Sequence, residues 1–352
     1  MAFHVVLPRR MSADELNALR PGGSRPRMGI AMIAHELGAT LYAPGDQRAA
    51  GFDRIRSAIV GPKSMWALAR HVAGQVNSDD VVFCGSETGG LQIAEACGVK
   101  SSKPKICLFA HNLNRPRGRF ALKWFKVQQR VELLLACSNL QTRFLRSYLK
   151  APKQQARSIW DHTDTRFFSP GPASVGKTRP LIVSVGLEQR DYRTLALATE
   201  TLDVDVRISG FSEDAAVLKR TFPDAMPANM TRKFYSWLDL VQLYRDADVV
   251  VVSVHENRYA AGVQSLMETM ACGRPVIVTA TQGLATYLDN DAVVTVPPAD
   301  AAAMRHAIVS ALANPEPAEA RATRGLALAR SRHSIERYVS EIATHLRQLA
   351  TA

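Results

Sequence analysis

DVVVVSVHENRYAAGVQSLMETMACGRPVIVTATQGL, residues 248–284, compresses two buried strands and the helix that joins them into 37 residues. Val249–Val252 and Val276–Val278 are continuous β-branched runs, the pattern of parallel strands covered on both faces. The helix between them, beginning near Gly262, must then cross over the sheet. In open α/β sheets, ligands sit beyond the carboxyl ends of the strands, where loops and helix N-termini offer free backbone N–H groups to anions. Gly262 lets a ligand approach the backbone at that helix start. Glu268 follows about one and a half turns later, within reach of sugar hydroxyls, although a lone helical glutamate is more often simply solvated.

The part VVSVHENRYAAGVQSLMETMACGRPVIVT resembles the signature of retaining glycosyltransferases of family 4, which have the two-domain GT-B fold. In that family the helix carries an E-x7-E pair, an alanine-and-glycine turn and a Pro-Val strand. Glu268, Met270, Ala271, Gly273, Pro275 and Val276 match its second half. The first half departs, because Ala260 stands eight residues before Glu268 and the nearest upstream carboxylate is Glu256. The resemblance implies that Glu268 holds the ribose hydroxyls of a nucleotide sugar and that Glu256, Gly262 and Val263 border the donor.

Outward from this segment, strand-like and helix-like stretches alternate to both ends of the chain. FHVVLP, ATLYAP, DDVVFC, KICLFA and LLLACS read as strands of a first α/β series, with RMGIAMIAHELG as a helix. Pro170, Gly171, Pro172, Gly176 and Pro180 crowd into residues 167–180 and mark a boundary. LIVSVG, VDVRIS, DVVVVS, PVIVT and AVVTVP form a second series. The expected architecture is α/β, two Rossmann-like domains facing an interdomain cleft: residues 1–170 on the acceptor side and 171–334 binding the nucleotide sugar. By resemblance, a C-terminal helix over 335–349 packs back on the first domain. A chain of 352 residues, 47% hydrophobic, has the length and apolar content for two such cores.

Three features of the first domain extend the resemblance. Pro21-Gly22-Gly23-Ser24 falls between the first strand and the first helix, like the family's glycine loop, where absent side chains admit a diphosphate or acceptor to the backbone. By itself a Gly-Gly pair is an ordinary turn. His111, in LFAHNLNR, ends a buried strand, and the resemblance makes it a contact of the donor sugar. A lone strand-end histidine is otherwise more often structural. Asp164, Phe168 and Pro170 fit the D-x-x-x-F-x-P that leads into the family's linker.

The second domain opens with SVGLEQRDYRTLALA. In the family a glycine ending the first strand precedes an arginine and then a lysine, both aimed at the donor diphosphate. Gly186 is followed here by Leu187, so the first cation is absent; aligning back from Leu195 puts Arg190 at the lysine position, with Arg193 a second candidate. A guanidinium suits this place because the leaving diphosphate gains negative charge as the glycosidic bond breaks. The competing reading, solvated arginines at a helix start, is opposed by the helix dipole. The loop 232–235 is expected to border the nucleobase.

The net charge of +12 calls for an anionic partner. Basic residues concentrate in RPRGRFALKWFKVQQR, 115–130; read as one helix, it sets Phe120, Trp124, Val127 and Val131 on one face and Lys123, Lys126 and Arg130 on another. Such a helix either lies on an anionic membrane or packs its aromatics into the domain. No recognised nucleic-acid module is present. No window of 18 apolar residues and no signal-peptide pattern occurs. The five cysteines lack CxxC spacing, which points to a reduced, cytoplasmic setting with peripheral membrane contact as an option. The resemblance implies sugar transfer from a nucleotide sugar to a sugar or lipid-linked hydroxyl, with retention, without metal and with no cofactor besides the nucleotide-sugar co-substrate. Two rivals share the fold: an epimerase acting on UDP-N-acetylhexosamine, and a degenerate protein, suggested by Leu187 and Ala260, that binds without turnover.

Overall fold

The computed structural model describes residues 1–212 and 215–351. The chain divides into two compact units, one formed by residues 1–19, 27–160 and 336–352, the other by 20–26 and 161–335.

The first unit runs β1 (Phe3–Val6), α1 (Ala13–Asn17), α2 (Gly29–Leu37), β2 (Thr40–Tyr42), α3 (Gly51–Ile59), α4 (Lys63–Gln75), β3 (Val81–Cys84), α5 (Glu87–Gly98), β4 (Lys105–Phe109), α6 (Pro116–Trp124), α7 (Val127–Arg130), β5 (Leu133–Ala136), α8 (Asn139–Leu149) and β6 (Ala156–Ser158). The second runs β7 (Leu181–Val185), α9 (Tyr192–Thr199), β8 (Asp205–Ser209), β9 (Met230–Arg232), α10 (Trp237–Asp246), β10 (Val249–Val252), α11 (Val263–Ala271), β11 (Val276–Thr279), β12 (Val294–Val296), α12 (Ala301–Ala313) and α13 (Pro315–Arg332). The last helix, α14 (Ile335–Thr351), counts with the first unit from Glu336 onward. Tyr338 of α14 meets Phe109 of β4 edge-on at 6.2 Å.

Each unit is built on a six-stranded, wholly parallel sheet, ordered β2-β1-β3-β4-β5-β6 in the first and β12-β11-β10-β7-β8-β9 in the second. The β-branched and leucine runs explain why. All four residues of β3, β5, β10 and β11 are buried, which requires helices on both faces and therefore crossover connections. Side chains also fix helix starts: the hydroxyls of Ser138 and Ser236 accept the N–H of Gln141 and Asp239, and Asp300 accepts that of Ala303. No described helix is long and apolar enough to cross a membrane.

Two strands went unread in the sequence. β6 and β9 are edge strands of three residues with one buried side chain each, too short and polar to show a pattern. The glycine loop does not directly follow β1, because α1 intervenes. Its Ser12 caps Glu15 N–H while the Glu15 carboxylate accepts Ser12 N–H, a reciprocal start that stabilises even five residues.

The single helix expected over 115–130 is corrected to two. Phe125 ends α6, and Lys126 takes a left-handed φ of 47°. The proposed apolar face is divided accordingly: Val127 and Val131 are buried, whereas Phe120 and Trp124 are exposed. The proposed basic face is divided too, since Arg130 is paired with Glu95 of α5. Gly118 lets the first turn of α6 close on the preceding chain, for a Cβ there would lie 2.4 Å from the Leu113 carbonyl oxygen. Gly118→Ala should therefore cost about 1–3 kcal/mol of stability by forcing backbone movement, measured by urea unfolding.

Candidate active site

The second sheet reverses its strand order between β7 and β10. From β7 the chain builds β8 and β9 to one side, then returns to lay β10 on the other. The loops leaving the carboxyl ends of β7 and β10 therefore diverge and open a crevice, the general ligand position in such sheets.

Gly186 ends β7 with φ 103° and Gly262 precedes α11 with φ 92°, both in the left-handed region that favours glycine. Their missing side chains make room for Arg190. A Cβ on Gly186 would lie 2.4 Å from Arg190 Nη2, and one on Gly262 would lie 2.9 Å from Val252 and 3.5 Å from Arg190 Nη1. Arg190 is 4% exposed. Its Nε donates to the Val185 carbonyl at 2.8 Å, Nη1 to the Glu188 carbonyl at 3.0 Å and Nη2 to Ser265 Oγ at 2.8 Å. All three acceptors are neutral, and no carboxylate among the described residues pairs with this guanidinium. Three of its five N–H groups are thereby fixed, in a fork suited to a further anion. The loop carrying it is held to the chain leaving β10: Asp191 N–H donates to Ser253 O, Ser253 Oγ–H to Asp191 O, and His255 N–H to Gln189 O.

Ser265 lies in the first turn of α11, whose N-cap, Gly262, has no side chain to cap it. The Val263 N–H donates to Ala260 O, and the Arg190 guanidinium adjoins this first turn, so a cation and the positive end of the α11 dipole lie together at the carboxyl ends of β7 and β10. Val263, the first residue of α11, is buried. One and a half turns in, Glu268 is 5% exposed; its Oε2 accepts Tyr244 O–H at 2.7 Å and its Oε1 accepts Gln264 N–H at 3.1 Å. Burial raises its carboxyl to a pKa of about 7, against the opposing pull of the Tyr244 and Gln264 hydrogen bonds and the Arg190 charge. Burial and the Glu268 carboxylate together hold the Tyr244 phenol well above its ordinary value.

The remaining candidates of this unit lie apart from the cluster. Arg193, on α9, donates Nε to Phe222 O and Nη2 to Asp224 and Lys219 O, so it ties down the 219–224 segment. Glu256 is exposed and accepts Gln282 N–H at 3.1 Å. Leu187, where the family has its first cation, is buried. In the loop expected at the nucleobase, the Arg232 guanidinium lies 4.4 Å from the Phe211 ring centroid and 4.2 Å from that of Phe222, while Phe234 is exposed. Gly22 has φ 89°, with open space where a Cβ would stand at it, and segment 20–26, which includes Gly23, counts with this second unit.

In the first unit, His111 is exposed at the carboxyl end of β4. The Glu87 carboxylate, at the start of α5, accepts the backbone N–H of His111 at 2.8 Å and of Asn112 at 3.0 Å. His111 Nε2 stands 3.3 Å from Gly85 O, and its ring lies 4.7 Å from that of Phe109.

Sequence reading missed Ser265, Gln264, Tyr244 and Glu87. The i,i+4 spacing of Gln264 and Glu268 was a visible signal; Tyr244 and Glu87 come from elements distant in sequence. Among the described residues, no group of three or more His, Cys, Asp or Glu side chains gathers as a metal site would. All five cysteines are buried, and no disulfide joins them.

Residues 190–314 match the family model of glycosyl transferases group 1. No curated protein matches the sequence. The fold is that of GT-B glycosyltransferase structures. Sucrose-phosphate synthase from Thermosynechococcus elongatus aligns with a TM-score of 0.74 at 16% identity, over 99% of this chain and 98% of that one. Trehalose 6-phosphate synthase from Burkholderia multivorans gives 0.73 at 14% over 99% and 97%, and Anabaena HepE, solved with UDP-glucose, 0.70 at 12% over 99% and 100%.

The raised Glu268 pKa makes a signed prediction. A carboxyl that ionises near 4.5 unfolded and near 7 folded binds more protons in the folded state, so stability falls as pH rises between those values and the penalty is complete above them. Glu268→Gln removes this dependence. Urea unfolding from about pH 5 to pH 8 should show the wild type losing stability relative to the variant as pH rises; parallel curves would place the Glu268 pKa in the ordinary range.

Proposed function

We propose that this chain, whose residues 190–314 carry the glycosyl transferases group 1 match, transfers a sugar from a UDP- or GDP-linked donor to a hydroxyl acceptor with retention at the anomeric carbon. The observation that carries the reading is Arg190: a buried guanidinium hydrogen-bonded only to neutral groups, beside the uncapped start of α11. Keeping a cation out of water without a counter-ion is costly, and a diphosphate supplies the missing charge.

In the proposed step, the bond from the anomeric carbon to the donor phosphate breaks with its electron pair going to the phosphate oxygen. The acceptor oxygen bonds to that carbon on the same face, and its proton passes to the leaving phosphate. No side-chain base is needed. Arg190 and the α11 N–H groups stabilise the growing diphosphate charge, an effect worth about 3–4 kcal/mol for one well-placed donor. Glu268, with Gln264 beside it, is assigned to the ribose hydroxyls. Gly186, Gly262 and Val263 border the diphosphate, and His111 is assigned to the donor sugar. Metal independence and hexosyl transfer belong to the same proposal. The degenerate-binder reading predicts the same donor binding without turnover.

A second partner, the anionic inner face of a membrane carrying a lipid-linked acceptor, is favoured by α3. It exposes Phe52 at 74% and Ile55 at 65% next to Arg54 and Arg56. Phe52→Ser with Ile55→Ser should lower binding to anionic liposomes by about tenfold or more; unchanged sedimentation with liposomes would remove α3 from any membrane contact.

The donor reading is tested by thermal shift with UDP, GDP, ADP and their sugars. One nucleotide class should stabilise the protein, by about 2.7 kcal/mol at a hundredfold excess over its dissociation constant. Arg190→Lys should weaken that class by about tenfold or more, and by more than Arg193→Lys does, because a lysine cannot reproduce the fork. Stabilisation by no nucleotide would defeat the reading. Release of the nucleoside diphosphate with an acceptor present separates transferase from binder.

A further inference from the structure

α6 and α8 of the first unit border an open cavity of about 820 Å³. Its wall takes one face of α6, where Arg119, Phe120, Lys123 and Trp124 recur at helical spacing, and Tyr148 of α8; Asn114 closes one end. Three features of this wall are not explained by folding.

Phe120 and Trp124 stack on one another with centroids 5.4 Å apart and planes 22° apart, yet are 46% and 62% exposed. A stacked pair in solvent forms a flat apolar platform that the core does not use. The second feature is charge. Arg119 is held in place by Asn114 Oδ1, which accepts its Nε at 2.9 Å and its Nη2 at 2.7 Å, while the Lys123 ammonium lies 4.9 Å from the Tyr148 ring centroid. No carboxylate lines the cavity, and none among the described residues pairs with either cation. The third is rigidity: Tyr148 O–H donates to Arg119 O at 3.1 Å, and Phe144 and Tyr148 stack at 5.2 Å beneath the Arg119 guanidinium. The platform and the cations are thus fixed relative to one another before any ligand arrives.

We propose that this cavity binds an anionic saccharide, a sugar ring bearing phosphate or carboxylate, with the ring against Trp124 and Phe120 and its charge on Arg119 and Lys123. The axial C–H face of a pyranose is apolar and matches an aromatic plane, and a guanidinium with a free Nη1 matches phosphate or carboxylate oxygens. The cations held at fixed places beside the aromatic platform favour a saccharide with a defined charge over a bilayer surface. Asn114 and His111 lie three residues apart in the loop after β4. That the bound sugar is the acceptor rests on the transferase reading; that the cavity binds it does not.

The test is titration of the full-length protein, without nucleotide, by calorimetry. Probes are glucose 6-phosphate, a glucuronate-containing disaccharide, its neutral glucose counterpart, inorganic phosphate and phosphatidylglycerol vesicles. The anionic sugars should bind at least about tenfold tighter than both the neutral disaccharide and inorganic phosphate, the size of one charge-assisted hydrogen bond together with ring stacking. Trp124→Ala should abolish the sugar contribution and Lys123→Gln the preference for anionic over neutral sugar, with melting temperatures near wild type because both side chains are exposed. Equal binding of neutral and anionic sugars, phosphate binding as well as the sugar phosphate, or binding of vesicles alone would each overturn the proposal. A thermal shift with nucleotide that survives in Trp124→Ala keeps the donor reading separate, whichever way the saccharide titration falls.

Discussion

The Arg190 guanidinium is the constraint around which the second unit is arranged. A cation removed from water must have its N–H groups met, and here a strand-end carbonyl, a loop carbonyl and a helix hydroxyl meet three of them. That geometry requires β7 to end in a left-handed glycine, α11 to begin after another, and the intervening loop to be stitched to the chain leaving β10. A side chain at Gly186 would occupy the space the guanidinium fills. Because the acceptors are neutral, the positive charge stays available to whatever enters the crevice.

Glu268 extends the same arrangement into the helix. It is too buried to be an ordinary surface carboxylate; its hydrogen bond to Tyr244 ties α11 to α10, and burial raises its pKa to about 7 against the opposing pull of the Tyr244 and Gln264 hydrogen bonds. The start of α11, Arg190 and Glu268 follow one another over one and a half helical turns, a guanidinium at the strand ends and a buried carboxyl with a raised pKa further along the helix.

The first unit solves a different problem with similar means. Glu87 at the start of α5 accepts two consecutive backbone N–H groups, those of His111 and Asn112, and so fixes the chain where it leaves β4. α6 begins a few residues later and presents aromatic and basic side chains on an open cavity instead of returning them to the core. The break after Phe125 makes this possible: an unbroken helix would have kept Val127 in line with Trp124, whereas the left-handed turn at Lys126 sends Val127 inward and leaves Trp124 outside.

The sequence by itself determined the strands whose side chains are all buried, because a run such as Val249–Val252 has no other comfortable state than the middle of a covered parallel sheet. It also placed Gly186, Gly262 and Glu268 at fixed distances from those strands, and offered two arginines, Arg190 and Arg193, near the start of α9. Edge strands β6 and β9, the helix break at Lys126 and the pairing of Arg130 with Glu95 were decided only by tertiary structure, for each depends on neighbours that local periodicity does not encode. The same holds for the separation of Arg190 from Arg193. Both are arginines near the start of one helix, and the difference between a buried guanidinium among neutral acceptors and one paired with Asp224 arises from which way each Cβ faces once α9 has packed. Tyr244, 24 residues before Glu268 and on another helix, reaches that carboxylate for the same reason: hydrophobic packing fixes the helices first, and the polar contacts available to each side chain follow from where that packing leaves it.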